Sequence, residues 1–123
     1  MAIVLENGKK KAIGDKVGIT RQAVSQILSG KRPGSPKGRL VRGLAYEAGG
    51  RYLMDFRTET EKDGNLLDIC SWCDGAVQLI CSRGTGTVYK YVCGEMVDSY
   101  QGLSIPEFMK KQNECAKYAV LNF

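Results

Sequence analysis

Two short helical segments joined by a glycine turn, between residues 9 and 29, limit the fold more narrowly than any other feature. Residues 9–18 predict a first helix, with one apolar stripe: Ala12, Ile13 and Val17. Gly18 can adopt the positive φ that ends a helix, and Thr20 is a favourable N-cap for the next one. The second helix is predicted over residues 21–28, with one apolar face: Val24, Ile27 and Leu28.

The remainder of the first half predicts a third helix after a loop. Residues 31–37 contain two prolines, one glycine and three cations, a composition typical of a loop. Residues 37–48 predict a helix whose apolar side chains point inward: Leu40, Val41, Leu44, Ala45 and Ala48. Ala2 to Leu5 predict an abbreviated helix at the start of the chain. Gly49 and Gly50 then mark a domain boundary, which gives domains over residues 1–50 and 51–123.

The second half has the pattern of a small antiparallel sheet with one C-terminal helix. Residues 76–82 and 87–93 are rich in β-branched and aromatic side chains, and the glycine-containing turn between them predicts a hairpin. Residues 52–59 and 95–100 predict further strands, whereas residues 66–73 fit a helix or a strand equally well. Ser104 and Glu107 have the spacing of a capping box for a final helix. Its predicted inward-facing helical stripe comprises Ile105, Phe108, Met109, Gln112, Ala116, Ala119 and Val120. The predicted fold class is α+β, with three or four strands.

Positive charge is concentrated in the first half of the chain. Residues 1–50 carry ten Lys or Arg against three Asp or Glu, a net +7. Residues 51–123 carry eight against ten, a net −2, and the two values sum to the total of +5. A basic half beside an acidic one predicts a polyanionic partner for the first domain alone.

Composition excludes several kinds of chemistry but leaves a zinc site as one possible use of the cysteines. The chain has no histidine, which rules out imidazole catalysis and imidazole metal ligands. No apolar run is long enough for a membrane span or a signal peptide, so a cytoplasmic location is expected. Four cysteines (Cys70, Cys73, Cys81 and Cys93) leave a zinc site or a redox pair as alternatives to buried apolar packing, which is favoured. Four aromatic residues (Trp72, Tyr89, Tyr91 and Tyr100) fit either a ligand pocket or, preferably, an apolar sheet face.

The segment IGDKVGITRQAVSQILSGKR resembles the phage-repressor and Cro (XRE-like) family of helix-turn-helix DNA-binding domains. The similarity includes Gly14 where the helices would cross, Gly18 in the turn and the Thr20 cap, and it covers residues 9–48. The resemblance implies a lambda-repressor-like helical domain whose second motif helix enters the major groove. It implies base contacts from Arg21, Gln22, Ser25 and Gln26, and phosphate contacts from Lys10, Thr20, Lys31, Arg32 and Lys37. Arg39 and Arg42 are weaker phosphate candidates.

The residue types at these positions suit base recognition. Arginine can bind guanine through two hydrogen bonds, and glutamine can bind adenine in the same way. The sequence therefore predicts a non-enzymatic, cofactor-free transcriptional regulator, most simply a repressor of phage or bacterial origin. It would bind a palindromic site on double-stranded DNA as a homodimer. One alternative is an interaction protein whose residues 51–123 bind a host protein while the first domain controls its own promoter. Another is a toxin–antitoxin or ligand-responsive regulator whose sheet binds a small molecule.

Overall fold

The computed structural model describes residues 3–30 and 35–123. The protein is α+β: three helices lie in the first half, followed by a five-stranded antiparallel sheet and a fourth helix. The helices are α1 (Asn7–Val17), α2 (Arg21–Leu28), α3 (Pro36–Glu47) and α4 (Ile105–Asn122). The strands are β1 (Ile3–Val4), β2 (Arg51–Tyr52), β3 (Asp55–Thr60), β4 (Leu66–Trp72), β5 (Val77–Ser82), β6 (Thr87–Val92) and β7 (Glu95–Gln101).

The chain forms two compact units. The first unit comprises the described residues up to Leu53 together with Lys117–Phe123, and the second comprises Met54–Ala116. The boundary between the units therefore falls within α4 as well as before β3. Residues 117–123 group with the first unit, which the apolar pattern of α4 alone does not indicate.

The first unit is built around the packing of α1, α2 and α3. Its buried apolar side chains include Ile13, Val24, Ile27, Leu28, Val41 and Ala45. Ala119 and Val120, from the end of α4, are also fully buried. Burying each of these larger aliphatic side chains contributes about 1.5–3 kcal/mol, so one apolar stripe per helix is enough to hold the helices together.

The predicted helix over Ala2 to Leu5 is wrong for the residues that the structure describes. Ile3 and Val4 form β1, which pairs antiparallel with β2 so that Ile3 lies opposite Tyr52. Ile3 and Tyr52 are both buried. A helix of so few residues is unstable on its own, whereas β-branched side chains fit a strand that has a partner.

Other errors concern which side chains face inward. Leu40 was expected to be buried but is 53% exposed, because the buried face of α3 runs through Gly38, Val41, Arg42 and Ala45 instead. Ala12 is exposed on α1. In α4, Ile105 and Met109 are exposed, and Cys115 takes a place in the core that the stripe did not assign to it.

The second unit is a five-stranded meander, one strand more than the upper limit of the prediction. Strands β3 to β7 pair in chain order, and the hairpin of β5 and β6 is confirmed. The ambiguous segment at 66–73 is strand β4, and the predicted strand at 52–59 divides into β2 and β3. Cross-strand pairing places Phe56, Cys70 and Leu79 on one face. Gln112 of α4 contacts that face, since its Nε2 donates to Cys70 Sγ at 3.5 Å.

The predicted capping box at the start of α4 is confirmed. The Ser104 N–H donates to Glu107 Oε1 at 3.2 Å, and the Glu107 N–H donates to Ser104 Oγ at 3.3 Å. Hydrogen bonds from the Ser104 side chain and backbone to the charged Glu107 carboxylate lower the pKa of that carboxyl. The helix start is thus fixed by two residues three positions apart.

Candidate nucleic-acid interface

Helix α2 begins and ends at the predicted residues. Thr20 precedes it with extended backbone angles, and its Oγ1 accepts a hydrogen bond from the Ala23 N–H at 3.1 Å. This bond satisfies one of the donors that the first turn of a helix leaves unpaired. The side chains of Val24, Ile27 and Leu28 are buried, which fixes the face that α2 turns towards the core.

The opposite face of α2 carries the residues proposed to contact bases. Arg21, Gln22 and Gln26 are exposed, and Ser25 is half-buried between the two faces. Positions 21, 22, 25 and 26 repeat at helical spacing, so their side chains form a single polar stripe. Within residues 3–30 and 35–123, no hydrogen bond or ion pair engages the side chains of Arg21, Gln22 or Gln26. Their donors and acceptors are therefore available to an external partner.

The turn before α2 depends on two glycines. Gly18 has a φ of +84°, and its N–H donates to the Gly14 carbonyl at 2.8 Å. The Ile19 N–H donates to the same carbonyl at 2.9 Å. A Cβ on Gly14 would lie 2.7 Å from the Ile19 carbonyl oxygen, closer than real Cβ atoms approach such an atom. The small residue at 14 therefore lets the turn fold back against α1, which sets the start of α2.

Cations occupy the first turn of all three described helices of the first half. Lys9 and Lys10 lie there in α1, Arg21 in α2 and Lys37 in α3, and none of these turns contains an acidic residue. The N-terminal end of a helix carries partial positive charge, so a cation there costs about 0.3–1 kcal/mol relative to a favourable placement. Helix α4 follows the usual preference, with Glu107 in its first turn. An anionic partner would remove the unfavourable interaction in the first three helices.

The start of α3 lies beside α2. Ile19, Ala23 and Ile27 line a cleft of about 380 Å³ together with residues 35–37. The Gly38 N–H donates to Ser35 Oγ at 2.9 Å, so Ser35 caps α3 as Thr20 caps α2. The sequence placed Lys37 at the junction of the predicted loop (31–37) and the predicted helix (37–48), and the structure places it in the first turn of α3, near α2.

The remaining candidates for phosphate contact are distributed unevenly. Thr20 and Lys37 are exposed, Lys10 is half-buried, and Lys31 and Arg32 lie outside the described residues. Of the weaker candidates, Arg39 is exposed. Arg42 is only 4% exposed, and its Nε has no hydrogen-bond partner within the described parts of the chain. Arg42 is therefore not an accessible phosphate ligand here, because it belongs to the buried face of α3.

Three features near α2 were not predicted from the sequence. Lys9 Nζ donates to the Ala48 carbonyl at 2.9 Å, which satisfies an acceptor at the end of α3. Ser35 caps α3, and the Ser-Pro pair that opens this helix is itself the sequence signal for such a start. Lys11 and Lys16 are exposed on α1 and extend the basic surface.

The cysteines of the second unit do not converge. Cys70 and Cys81 lie on the face of the sheet that α4 contacts, and burial raises the pKa of both thiols. Cys73 and Cys93 lie in turns, each with positive φ. Among the residues that the structure describes, no group of three or more Cys, Asp or Glu side chains is arranged to hold a metal ion. The zinc alternative thus has no supporting geometry in this region.

The four aromatic residues considered as a pocket lie on different faces of the sheet. Cross-strand pairing places Trp72 and Tyr100 on the face towards α4, and Tyr89 and Tyr91 on the opposite face. They cannot line one pocket. Burial raises the pKa of Tyr100 to about 12, and Lys111 Nζ lies 4.5 Å from the centre of its ring.

A different cleft, of about 400 Å³, opens within the second unit. Its apolar lining includes Phe56, Val88, Leu103, Ile105 and Phe108. At its polar end Arg83 donates to both oxygens of Asp68, from Nε at 2.7 Å and from Nη2 at 2.8 Å. Arg83 therefore holds the pKa of the Asp68 carboxyl below its ordinary value.

No protein-family model matches the chain, and comparison with curated proteins and with solved structures finds no significant similarity. The case for function therefore depends on the residues themselves. Across the described ranges, no helix has both the length and the apolar composition needed to cross a membrane.

Proposed function

We propose that the chain is a sequence-specific DNA-binding regulator that inserts α2 into the major groove. The observation that carries the proposal is the exposed stripe of Arg21, Gln22, Ser25 and Gln26 on a helix whose other face is buried. Arginine and glutamine are the side chains that best discriminate guanine and adenine edges. The resemblance of residues 9–48 to the Cro and phage-repressor family supports the same assignment.

Two lysines and the Thr20 cap would hold α2 in register on the phosphate backbone. Lys10, Thr20 and Lys37 lie in or beside the first turns of α1, α2 and α3, and all three helix starts favour an anion nearby. Contacts to phosphate position a protein on DNA but do not select its sequence. The α2 stripe would thus select the DNA sequence. The surrounding residues would position the protein on the phosphate backbone.

A homodimer on a palindromic operator completes the proposal. A two-fold axis would place two copies of α2 about 34 Å apart, one turn of DNA. Occupying a promoter in this way would repress transcription by exclusion. Selection of bound sequences from a random DNA pool tests the function: enriched palindromes with two half-sites would support it. Recovery of no preferred sequence would contradict it.

We expect Lys10→Ala and Lys37→Ala each to weaken binding to all DNA sequences alike. Each loss of a phosphate contact should lower the slope of log K against log salt concentration by about one. Fluorescence anisotropy on specific and unrelated duplexes over a series of salt concentrations measures both effects. Lys62→Ala, an exposed cation in the second unit, is the matched control and should leave the slope unchanged. Equal slopes for all three variants would argue against phosphate contacts at Lys10 and Lys37.

The cleft in the second unit favours a second candidate function, a response to a small ligand. The pair of Asp68 and Arg83 is internally satisfied, yet the guanidinium keeps N–H groups that neither carboxylate oxygen uses. A mainly apolar molecule with a hydrogen-bond acceptor would suit both the lining and this polar end. The volume of the cleft, about 400 Å³, is within the range of small-molecule sites.

The dye 1-anilinonaphthalene-8-sulfonate provides a probe of this cleft. We expect Ile105→Asp to abolish dye fluorescence enhancement, because Ile105 lines the cleft and is 78% exposed, so the fold should tolerate the change. Met109→Asp is the matched control on α4, since Met109 is 56% exposed and does not line the cleft. Equal dye binding by both variants would place the dye elsewhere. DNA affinity that changes on dye binding would support the regulatory role.

A further inference from the structure

Strand β3 is an unusually open edge of the sheet. All six of its residues are exposed, and its pairing with β4 is continuous from Asp55 to Thr60. An edge strand presents unpaired backbone groups on its outer side, and proteins normally protect such edges with a bulge, a proline or charged side chains. The charges of β3 (Asp55, Arg57 and Glu59) are of both signs, so they repel a second copy in some registers and attract it in others. β3 contains no proline, and within its described length it has no bulge.

The other edge of the same sheet is protected. Pairing of β6 with β7 is interrupted by a register shift between Lys90 and Tyr91, the mark of a bulge. β7 also carries Glu95 and Asp98 without a cation, so two copies of it would repel. The contrast singles out β3 as the edge that can accept another strand.

The charge pattern of β3 is self-complementary for one antiparallel register. Pairing across a two-fold axis that continues the sheet must join residues on the same face, so the axis passes through a residue. An axis at Arg57 would place two arginines together, and Asp55 opposite Glu59. An axis at Thr58 instead places Arg57 of each copy opposite Glu59 of the other.

Of the two registers that place opposite charges together, the one centred on Thr58 uses more of the strand. It pairs residues 56–60 of one copy with residues 60–56 of the other. An axis at Phe56 brings Asp55 opposite Arg57 but pairs only residues 55–57 of β3. In the Thr58 register the ring of Phe56, 59% exposed in one copy, lies beside Thr60 of the second.

We propose that two copies of this chain pair through β3, antiparallel about a two-fold axis at Thr58, to form one continuous ten-stranded sheet. The identity of the partner rests on the proposed function, since a palindromic site calls for a two-fold axis. Arg57 Nε already lies 2.9 Å from Glu59 Oε1 within one copy. The dimer would extend this pair into an alternating group of four charges.

Charge reversal tests the pairing without DNA. We expect Arg57→Glu and Glu59→Arg each to raise the dimer dissociation constant about tenfold or more, because each converts two attractive cross-strand pairs into repulsive ones. The double variant Arg57→Glu/Glu59→Arg should restore dimerisation to near the parent value. Sedimentation velocity measures all four proteins. A monomeric parent, or single variants that associate like the parent, would overturn the proposal.

Cysteine cross-linking tests the register in a Cys93→Ser background. After oxidation with diamide, Thr58→Cys should form a covalent dimer, because facing Cα atoms in the pair lie within disulfide range. Phe56→Cys and Thr60→Cys should cross-link poorly alone and efficiently when mixed. Self-linking at position 56 or no linking at position 58 would overturn the register. A dimer without sequence preference on DNA would instead contradict the proposed function and leave the β3 interface intact.

Discussion

Replacing Arg21 by alanine is expected to reduce affinity for a selected operator by about 5- to 150-fold per half-site. This range corresponds to the roughly 1–3 kcal/mol that one bidentate contact to a base contributes. The side chain is exposed at the start of α2, so the fold should persist. Affinity for unrelated DNA should fall much less, since a lost cation weakens all sequences only modestly. Anisotropy titrations on both duplexes at one salt concentration measure the difference.

Two further variants separate recognition of bases from charge. Arg21→Lys keeps the positive charge but loses the planar fork of donors, so it should bind unrelated DNA like the parent while losing the specificity that the bidentate contact contributes. Gln22→Ala should relax base preference at one operator position, because it removes one amide and no charge. If Arg21→Ala and Gln22→Ala bind the selected operator as the parent does, α2 does not contact the bases.

Local features of the fold were predictable from the sequence. The limits of α2, the hairpin of β5 and β6, and the capping box of α4 all depend on residues within a few positions of one another. Thr20, for example, caps α2 through a donor three residues away. Such signals depend on backbone geometry and hardly on what packs against the element.

Features that depend on distant partners were predicted poorly. Ile3 and Val4 form a strand because β2, nearly fifty residues later, supplies the pairing, and no local signal announces it. The exposure of Leu40 was equally unpredictable from local sequence. Its helix has apolar side chains on two sides, and tertiary packing decides which side is buried. For the candidate site, the exposed stripe of α2 followed from helical spacing. The position of Lys37 beside α2 did not, because it depends on how the start of α3 packs against α2.

Gly14 and Gly8 provide a matched pair for testing the turn that positions α2. Both lie in α1, and a Cβ on Gly8 would meet nothing within 4 Å. Gly8→Ala should therefore stabilise the protein by up to about 1 kcal/mol through helix propensity. Gly14→Ala gains the same propensity but places a Cβ 2.7 Å from the Ile19 carbonyl oxygen. Because that oxygen belongs to the backbone, relief requires moving the turn itself, and overpacking of this kind costs about 1–3 kcal/mol.

The two alanine variants should thus shift the urea midpoint in opposite directions, as followed by circular dichroism at the helical band. Gly14→Val should lower the urea midpoint further than Gly14→Ala does, since it adds two more methyl groups at the same contact. Operator affinity measured well below the unfolding transition should fall for the Gly14 variants and not for Gly8→Ala, because only the former displace the start of α2. If Gly14→Ala proves as stable as Gly8→Ala, the close approach of the turn to α1 does not exist. The stripe of Arg21, Gln22, Ser25 and Gln26 would then lack the support that fixes its direction.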